Sequence, residues 1–181
     1  MAEVLKILTV ANLVERKRID LCALTCAALD DDYQVDWTVV GNGPLEADIR
    51  RLAPGSFHLK DRVEDLKEFY NNSDIFVLPS SDEGFGMVYA EAIMCGCPVI
   101  CRKNDGGEEI VEKTKGGLAV DIPESDEAAV VNIRQAVEKI IENKDRYMSA
   151  DIVEKARQLV DPTAIKNKWE TLLKKYGDKL N

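Results

Sequence analysis

The chain has 181 residues, of which 45% are hydrophobic, and a formal net charge of −9 at pH 7. That length suits a single domain with a real core. The acidic balance excludes a nucleic-acid partner, because proteins bind phosphate backbones by neutralising them with lysine and arginine. No apolar run approaches the roughly 20 residues that span a bilayer, and the first residues lack signal-peptide features, so we expect a cytoplasmic protein.

The elements follow one another in a regular alternation of short apolar runs and longer helical patterns. The predicted strands are, in chain order, VLKILTVAN, VDWTVVG, residues 56–59, DIFVLP, PVICR and GGLAVD. The predicted helices cover about residues 17–29, 44–52, 63–71 and 86–94 and the chain from Ser125 onward, where Asp161-Pro162 opens the last helix. Pro44 is expected at the first helical position after the GNG turn.

Strands that are apolar throughout and separated by helices indicate a parallel sheet that is covered on both faces. We therefore predict an α/β fold: a Rossmann-like, doubly wound parallel sheet of about six strands in a three-layer α/β/α arrangement. Residues 1–181 form one domain in this prediction. The extra C-terminal helices beyond about residue 145 are expected to be an appendage to the layers.

Five cysteines and one histidine, His58, offer little for metal binding, since no two cysteines have the CxxC spacing that zinc sites favour. Buried free thiols in a reducing compartment are the expectation. We predict no metal and no cofactor.

Ligands of doubly wound sheets bind outside the carboxyl ends of the strands, which directs attention to the loop PSSDEGFG after the fourth strand. Gly84 and Gly86 there permit a positive φ or the close approach of a ligand. The helix that begins near Gly86 offers unpaired N–H groups and the positive end of its dipole. Together these features favour an anion, most often a phosphate.

Two carboxylates flank that turn. Glu91 points back toward the strand ends, where it can accept hydrogen bonds from vicinal hydroxyls, or it is a helix glutamate that only stabilises the dipole. Glu83 is a second hydroxyl acceptor or a simple loop carboxylate. Lys17 opens the first helix across the switch point, where its ammonium can meet a phosphate. Asp105-Gly106-Gly107 is expected to be a flexible glycine turn that either caps a helix or closes the pocket wall.

Several segments, in order and at the right spacing, then match a known pattern over roughly residues 5–125. They are TVANLVERK, VVGNGPLEADI, HLKDRVEDLKEFYNNSDIFVLPS, EGFGMVYAE, AEAIMCGCPVI and GGEEIVEKTKGGLAVD. In this pattern the chain resembles the C-terminal, donor-binding half of retaining family 4 glycosyltransferases, which have the two-domain GT-B architecture.

The resemblance implies a nucleotide-sugar donor as the partner and a retaining hexosyl transfer to a hydroxyl as the activity. Glu91 would bind the ribose hydroxyls, Glu83 the hydroxyls of the donor sugar, and Lys17 the diphosphate. The remaining assignments concern the backbone: Phe85 and Gly86 at the sugar, Met87 and Val88 at the diphosphate, and Arg62 and Val63 at the base. Gly84 is also expected to bind the donor.

The chain departs from the family at two positions and in its extent. Ala11-Asn12 stands where the family usually has Gly-Arg, so Asn12 can donate a hydrogen bond at the diphosphate but brings no charge. Arg18 replaces a glycine, and as the next helical residue after Lys17 it is expected to point about 100° away. We expect weaker or altered donor affinity.

The family's acceptor-binding N-terminal domain is expected to be absent. It would have been removed, or it would be a separate subunit; any membrane contact would come only through that half. The isolated domain should bind nucleotide and catalyse little or nothing.

Other functions remain open at different strengths. A sugar-nucleotide epimerase of GT-B type would share the donor site. A glycoside hydrolase would use Glu83 and Glu91 as acid and nucleophile, which requires one protonated carboxyl group, whereas a helix N-terminus favours ionised ones. A receiver domain would want paired acids after the first strand, and a dinucleotide-binding module would want GxGxxG there; Ala11-Asn12 satisfies neither.

Overall fold

A computed structural model describes residues 4–177 of the chain, and beyond residue 167 it describes the side chains at positions 170 and 173 only. Six parallel strands form one sheet in the order β3-β2-β1-β4-β5-β6. The strands are β1 (Val4–Val10), β2 (Gln34–Val40), β3 (Phe57–Lys60), β4 (Ile75–Leu78), β5 (Val99–Arg102) and β6 (Gly117–Val120). The predicted six-stranded parallel sheet is therefore confirmed.

The helices connect successive strands in the first part of the chain and follow one another in the last part. They are α1 (Ile19–Leu29), α2 (Glu46–Leu52), α3 (Lys67–Asn71), α4 (Met87–Met94), α5 (Gly106–Thr114), α6 (Asp126–Glu142), α7 (Lys144–Tyr147), α8 (Ala150–Val160) and α9 (Pro162–Gly177).

Two hydrophobic cores lie on opposite faces of the sheet, because the strands bury side chains on both sides. The first core packs α1, α2 and α6 against one face and includes Trp37. The second packs α3, α4 and α5 against the other face and includes Phe76. This is the predicted three-layer α/β/α arrangement.

A hydrogen-bonded pair of polar side chains is buried within the first core. Trp37 Nε1 donates to Thr9 Oγ1 at 3.1 Å, and Thr9 Oγ1 donates to the carbonyl oxygen of Val77 at 3.0 Å. The first bond joins β2 to β1. The second joins the Thr9 side chain on β1 to the backbone of β4, the neighbouring strand at the centre of the sheet. Buried polar groups satisfied in this way cost little stability.

The appendage prediction requires a correction for α8. Ile152 and Ala156 are buried in the second core, and α8 packs against α4 and α5. Two apolar residues four positions apart give the helix one buried face. As a result α8 covers the outer side of α4, the helix that carries the glutamate at position 91.

Two predicted helix starts were too early. α2 begins at Glu46, not at Pro44, because Leu45 N donates to the carbonyl of Leu13 at 3.2 Å and ties the preceding turn to the β1–α1 loop. α3 begins at Lys67, whose N–H donates to Asp65 Oδ1 at 2.9 Å. Arg62 and Val63 consequently lie in the loop after β3.

Candidate functional site

The strand order reverses between β1 and β4, and the loops that leave their carboxyl ends diverge to opposite faces of the sheet. A cavity of about 990 Å³ opens at this switch point. Ten of the eleven residues predicted for the site line it, namely Asn12, Lys17, Arg62, Val63, Glu83, Phe85, Gly86, Met87, Val88 and Glu91.

Lys17 reaches the cavity from a 3-10 turn (Glu15–Lys17) and not from the start of α1, which corrects the prediction. Arg18 ends that turn in the left-handed conformation (φ 48°, ψ 44°), and α1 begins only at Ile19. The change of direction at Arg18 turns the lysine inward. Lys17 is 8% exposed, and its ammonium forms an ion pair with the Glu83 carboxylate.

Glu83 is held by its own backbone as well as by its side chain. Ser80 Oγ donates to Glu83 Oε2 at 3.3 Å, and the backbone N–H of Glu83 donates to Asp105 Oδ1 at 2.7 Å. The same Asp105 oxygen accepts the N–H of Gly106 at 2.8 Å, as an N-cap does at the start of α5. One carboxylate oxygen therefore fixes both the loop that carries Glu83 and the helix behind it.

The glycines after Asp105 form the first turn of α5, so the capping alternative expected for this segment is confirmed, whereas a flexible turn is not. A Cβ at Gly106 would lie 1.6 Å from the carbonyl oxygen of Gly84. Gly106 is therefore needed for close packing of the two loops. Gly84 contributes its backbone carbonyl to this contact. Its φ is not positive, so of the two glycines in the Gly-Phe-Gly turn only Gly86 uses the left-handed region.

Gly86 gives α4 its open N-terminus. It adopts φ 72° and ψ 55°, in the left-handed region that glycine tolerates best. A Cβ there would lie 2.5 Å from Tyr89 Cδ2, so the tyrosine ring also requires a glycine. No described side chain caps this end of the helix. Met87 and Val88 consequently present their backbone N–H groups at the cavity wall, where an anion is favoured.

Glu91 lies deeper in the same helix and has a partner that the sequence did not reveal. Tyr70 Oη donates to Glu91 Oε2 at 3.3 Å. Burial, and secondly the charge of Glu91, raise the pKa of Tyr70, so the phenol keeps its proton and acts as donor. A tyrosine within a helical pattern looks like an ordinary core residue, and only the packing of α3 against α4 brings it to the carboxylate.

The structure also separates the cations near the start of the chain. Arg18 pairs with Asp20 at 3.1 Å and with Asp126 on α6, so its side chain turns away from the cavity. Arg16, which was not predicted for the site, lines the cavity beside Asn12. The outward direction of Arg18 agrees with the expectation from the sequence. Arg16 was missed because the 3-10 turn that carries it was not predicted.

The cavity therefore combines hydroxyl-accepting carboxylates, cations and free helix N–H groups. Within residues 4–177, no cluster of three or more His, Cys, Asp or Glu side chains is arranged to hold a metal ion. The same residues include no helix with the length and apolarity needed to cross a membrane.

Several solved structures share this fold. The fold superposes on a chain of the GtfA/B complex with a TM-score of 0.80 at 21% identity, over 96% of this chain and 36% of that one. It superposes on Anabaena Alr3699/HepE, crystallised with UDP and glucose, with a TM-score of 0.75 at 21% identity, over 94% and 48%. The fold is that of the C-terminal domain of a GT-B glycosyltransferase.

The family follows from the sequence. Residues 2–159 match the model of the glycosyl transferases group 1 family, and the chain belongs to that family. It is 27% identical over 157 residues to N-acetyl-alpha-D-glucosaminyl L-malate synthase of Bacillus anthracis, covering 83% of this chain and 39% of that protein. It is 27% identical over 177 residues to GDP-mannose-dependent alpha-(1-6)-phosphatidylinositol monomannoside mannosyltransferase of Mycobacterium tuberculosis, covering 90% and 40%.

Proposed function

We propose that the chain is the donor-binding domain of a retaining glycosyltransferase that moves a hexose from a nucleoside diphosphate to a hydroxyl group. One observation carries the proposal. The open N-terminus of α4, the Lys17–Glu83 ion pair and Glu91 all face one cavity at the switch point of the sheet. Together these groups form an anion-binding site with hydroxyl acceptors on both sides.

Each group has a role that fits its place. The N–H groups of Met87 and Val88 and the ammonium of Lys17 bind the diphosphate. Glu91, steadied by Tyr70, accepts the ribose hydroxyls. Glu83 accepts hydroxyls of the hexose.

The other cavity residues hold the two ends of the donor. The backbone of Phe85 and Gly86 lies against the hexose, whereas Gly84 does not line the cavity and packs against Gly106. Arg62 and Val63, in the loop after β3, face the base. Asn12 adds a neutral hydrogen-bond donor near the diphosphate.

The transfer breaks the bond between the anomeric carbon and the diphosphate oxygen and forms a bond from that carbon to the acceptor oxygen. The departing diphosphate oxygen keeps the electron pair of the broken bond, and as its negative charge develops it accepts the proton that the acceptor hydroxyl loses. Preorganised helix N–H groups and a lysine stabilise that developing charge without a metal ion. Neither carboxylate has to exchange a proton in this scheme.

A hydrolase mechanism fits the geometry less well. A glycosidase acid must hold a proton before reaction, and this needs surroundings that disfavour the charged carboxylate. Glu83 instead contacts the Lys17 ammonium and accepts a hydrogen bond from Ser80 Oγ. Both contacts use the carboxylate as a hydrogen-bond acceptor, whereas a general acid has to donate.

The chain spans 39% and 40% of the two curated relatives named above. We propose that the acceptor is bound by an N-terminal domain or a separate subunit that completes the cleft over the α4 end of the sheet. In this proposal the domain alone binds nucleotide and transfers little or no sugar.

Isothermal titration with UDP, GDP and ADP tests the proposal. We expect at least one of them to bind, and we expect Glu91→Ala to weaken that binding. Glu112→Ala is the matched control, because Glu112 is exposed on α5 outside the cavity wall. If none of the three nucleotides binds at millimolar concentration, the chain is not a donor-binding domain.

A further inference from the structure

The short segment between β1 and α1 holds three consecutive basic residues, and two of them form ion pairs with carboxylates. Lys17 is paired with Glu83 inside the cavity. Arg18 is paired with Asp20 and Asp126 outside it. Arg16 lines the cavity and is exposed. Among the described residues its guanidinium has no carboxylate partner, and its contact is a 3.4 Å hydrogen bond from Nη1 to the carbonyl oxygen of Asp82.

The backbone of Arg16 is fixed although its side chain is exposed. Its carbonyl oxygen accepts two hydrogen bonds from the loop after β4, from Ser81 N at 2.7 Å and from Ser81 Oγ at 3.1 Å, and it lies 3.3 Å from Ser80 Oγ. Ser80 Oγ also contacts Glu83 Oε2. The backbone of Arg16 is thus hydrogen-bonded to the same loop that carries Glu83 and leads to the N-terminus of α4.

The charges around the anion-binding site at the N-terminus of α4 leave a bound diphosphate incompletely neutralised unless a further cation contributes. The Lys17 ammonium is balanced by the Glu83 carboxylate, and Asn12 is neutral. A helix N-terminus contributes only about half an elementary charge, whereas a diphosphate ester carries about two. A guanidinium can bind phosphate oxygens through two parallel hydrogen bonds, a geometry that fits a diphosphate well.

We propose that Arg16 is a diphosphate-binding residue of this domain and supplies the positive charge that Asn12 does not. The proposal rests on the donor-binding function proposed above. On binding, Nη1 exchanges its weak contact with the Asp82 carbonyl for phosphate oxygens, while the anchored backbone stays in place.

The test compares Arg16→Gln with the unaltered chain by titration of the preferred nucleoside diphosphate and of the same nucleoside without phosphate. We expect about a tenfold weaker affinity for the diphosphate, in line with the loss of a charge-assisted hydrogen bond. The affinity for the nucleoside should not change. Arg51→Gln is the matched control, because Arg51 is an exposed arginine on α2 that pairs with Asp48 away from the cavity.

A rescue variant separates a lost ligand from a damaged fold. Asn12 lines the same cavity, so Asn12→Arg in the Arg16→Gln background should return most of the diphosphate affinity. Equal diphosphate affinity in Arg16→Gln and the unaltered chain would overturn the assignment while leaving the donor-binding function intact. A parallel loss of nucleoside binding, or no recovery in the double variant, would also count against it. If the unaltered chain binds none of the nucleotides, both proposals fail.

Discussion

At the scale of single residues, the ion pair between Lys17 and Glu83 lies inside the cavity and is the most buried ion pair among the described residues. The side chains are only 9% and 17% exposed, so removing either partner leaves the other charge poorly solvated. In the proposed function the pair competes with the donor: the diphosphate draws Lys17 away from Glu83, and the released carboxylate accepts sugar hydroxyls. Recognition of the phosphates and of the sugar would thus be coupled through one contact.

The two glutamates should therefore respond differently to substitution. Glu91→Ala should weaken binding of the free nucleoside diphosphate about tenfold or more, because two hydroxyl contacts to a charged acceptor are lost. Glu83→Ala should leave free nucleotide binding unchanged or tighten it, since Lys17 becomes available, and should abolish any additional affinity for the nucleotide sugar. Titration of both variants with nucleotide and nucleotide sugar checks this; equal losses for free nucleotide would contradict the division of roles.

At the scale of elements, the site depends on how two helices begin. α4 begins after a left-handed glycine without a described capping side chain, so its N–H groups stay open to the cavity. α5 begins with Asp105 as its cap, and that residue also binds the backbone of Glu83. One helix start is thus left uncapped, while its neighbour fixes the loop that carries Glu83.

Alanine at the two glycines of the Gly-Phe-Gly turn should change the free energy of unfolding by different amounts. Gly86→Ala should lower the free energy of unfolding by about 2 kcal/mol, because it places a Cβ on left-handed backbone and against the Tyr89 ring. Gly84→Ala should stay within about 0.5 kcal/mol, because a Cβ there meets nothing within 4 Å. Urea unfolding of both variants measures the difference. Similar losses would show that the conformation at position 86 is not what the turn requires.

At the scale of the whole molecule, the cysteines are distributed over both cores. Cys22 and Cys26 are buried between the sheet and α1, and Cys97 and Cys101 are buried on the opposite face. Burial raises the pKa of Cys22 and of Cys101 to about 12, and it raises the pKa of Cys26 and Cys97 as well. Cys95 is partly exposed and lines the cavity near Glu91.

Thiol labelling at pH 8 should therefore detect one fast cysteine in the folded chain and all five after denaturation. A thiol with a pKa near 12 is ionised to only about one part in ten thousand at that pH, and burial also blocks the reagent. Cys95→Ser should remove the fast phase, and a bound nucleotide should slow it in the unaltered chain. Fast labelling of two or more thiols would show that one core is more open than the structure indicates.

Sequence reasoning went furthest where it depended on local pattern. Apolar runs such as DIFVLP gave the parallel strands, and the Gly-Phe-Gly turn gave the start of α4. It failed at the element that carries Lys17, which is a 3-10 turn before α1 and not the start of the helix, although the directions expected for Lys17 and Arg18 agree with the structure. It also failed at α8, whose burial depends on α4 and α5 lying beside it.

By itself, the sequence determined the order of strands and helices, the three layers and the loops at which a ligand would bind, because hydrophobic periodicity and turn residues act over a few neighbouring positions. Only the tertiary structure decided which side chains meet. The pairing of Lys17 with Glu83, the contact of Tyr70 with Glu91 and the exposure of Arg16 to the cavity join residues far apart in the chain. The first and last of these depend on β1 and β4 lying side by side in the sheet, and the second depends on α3 packing against α4; no local pattern records either arrangement.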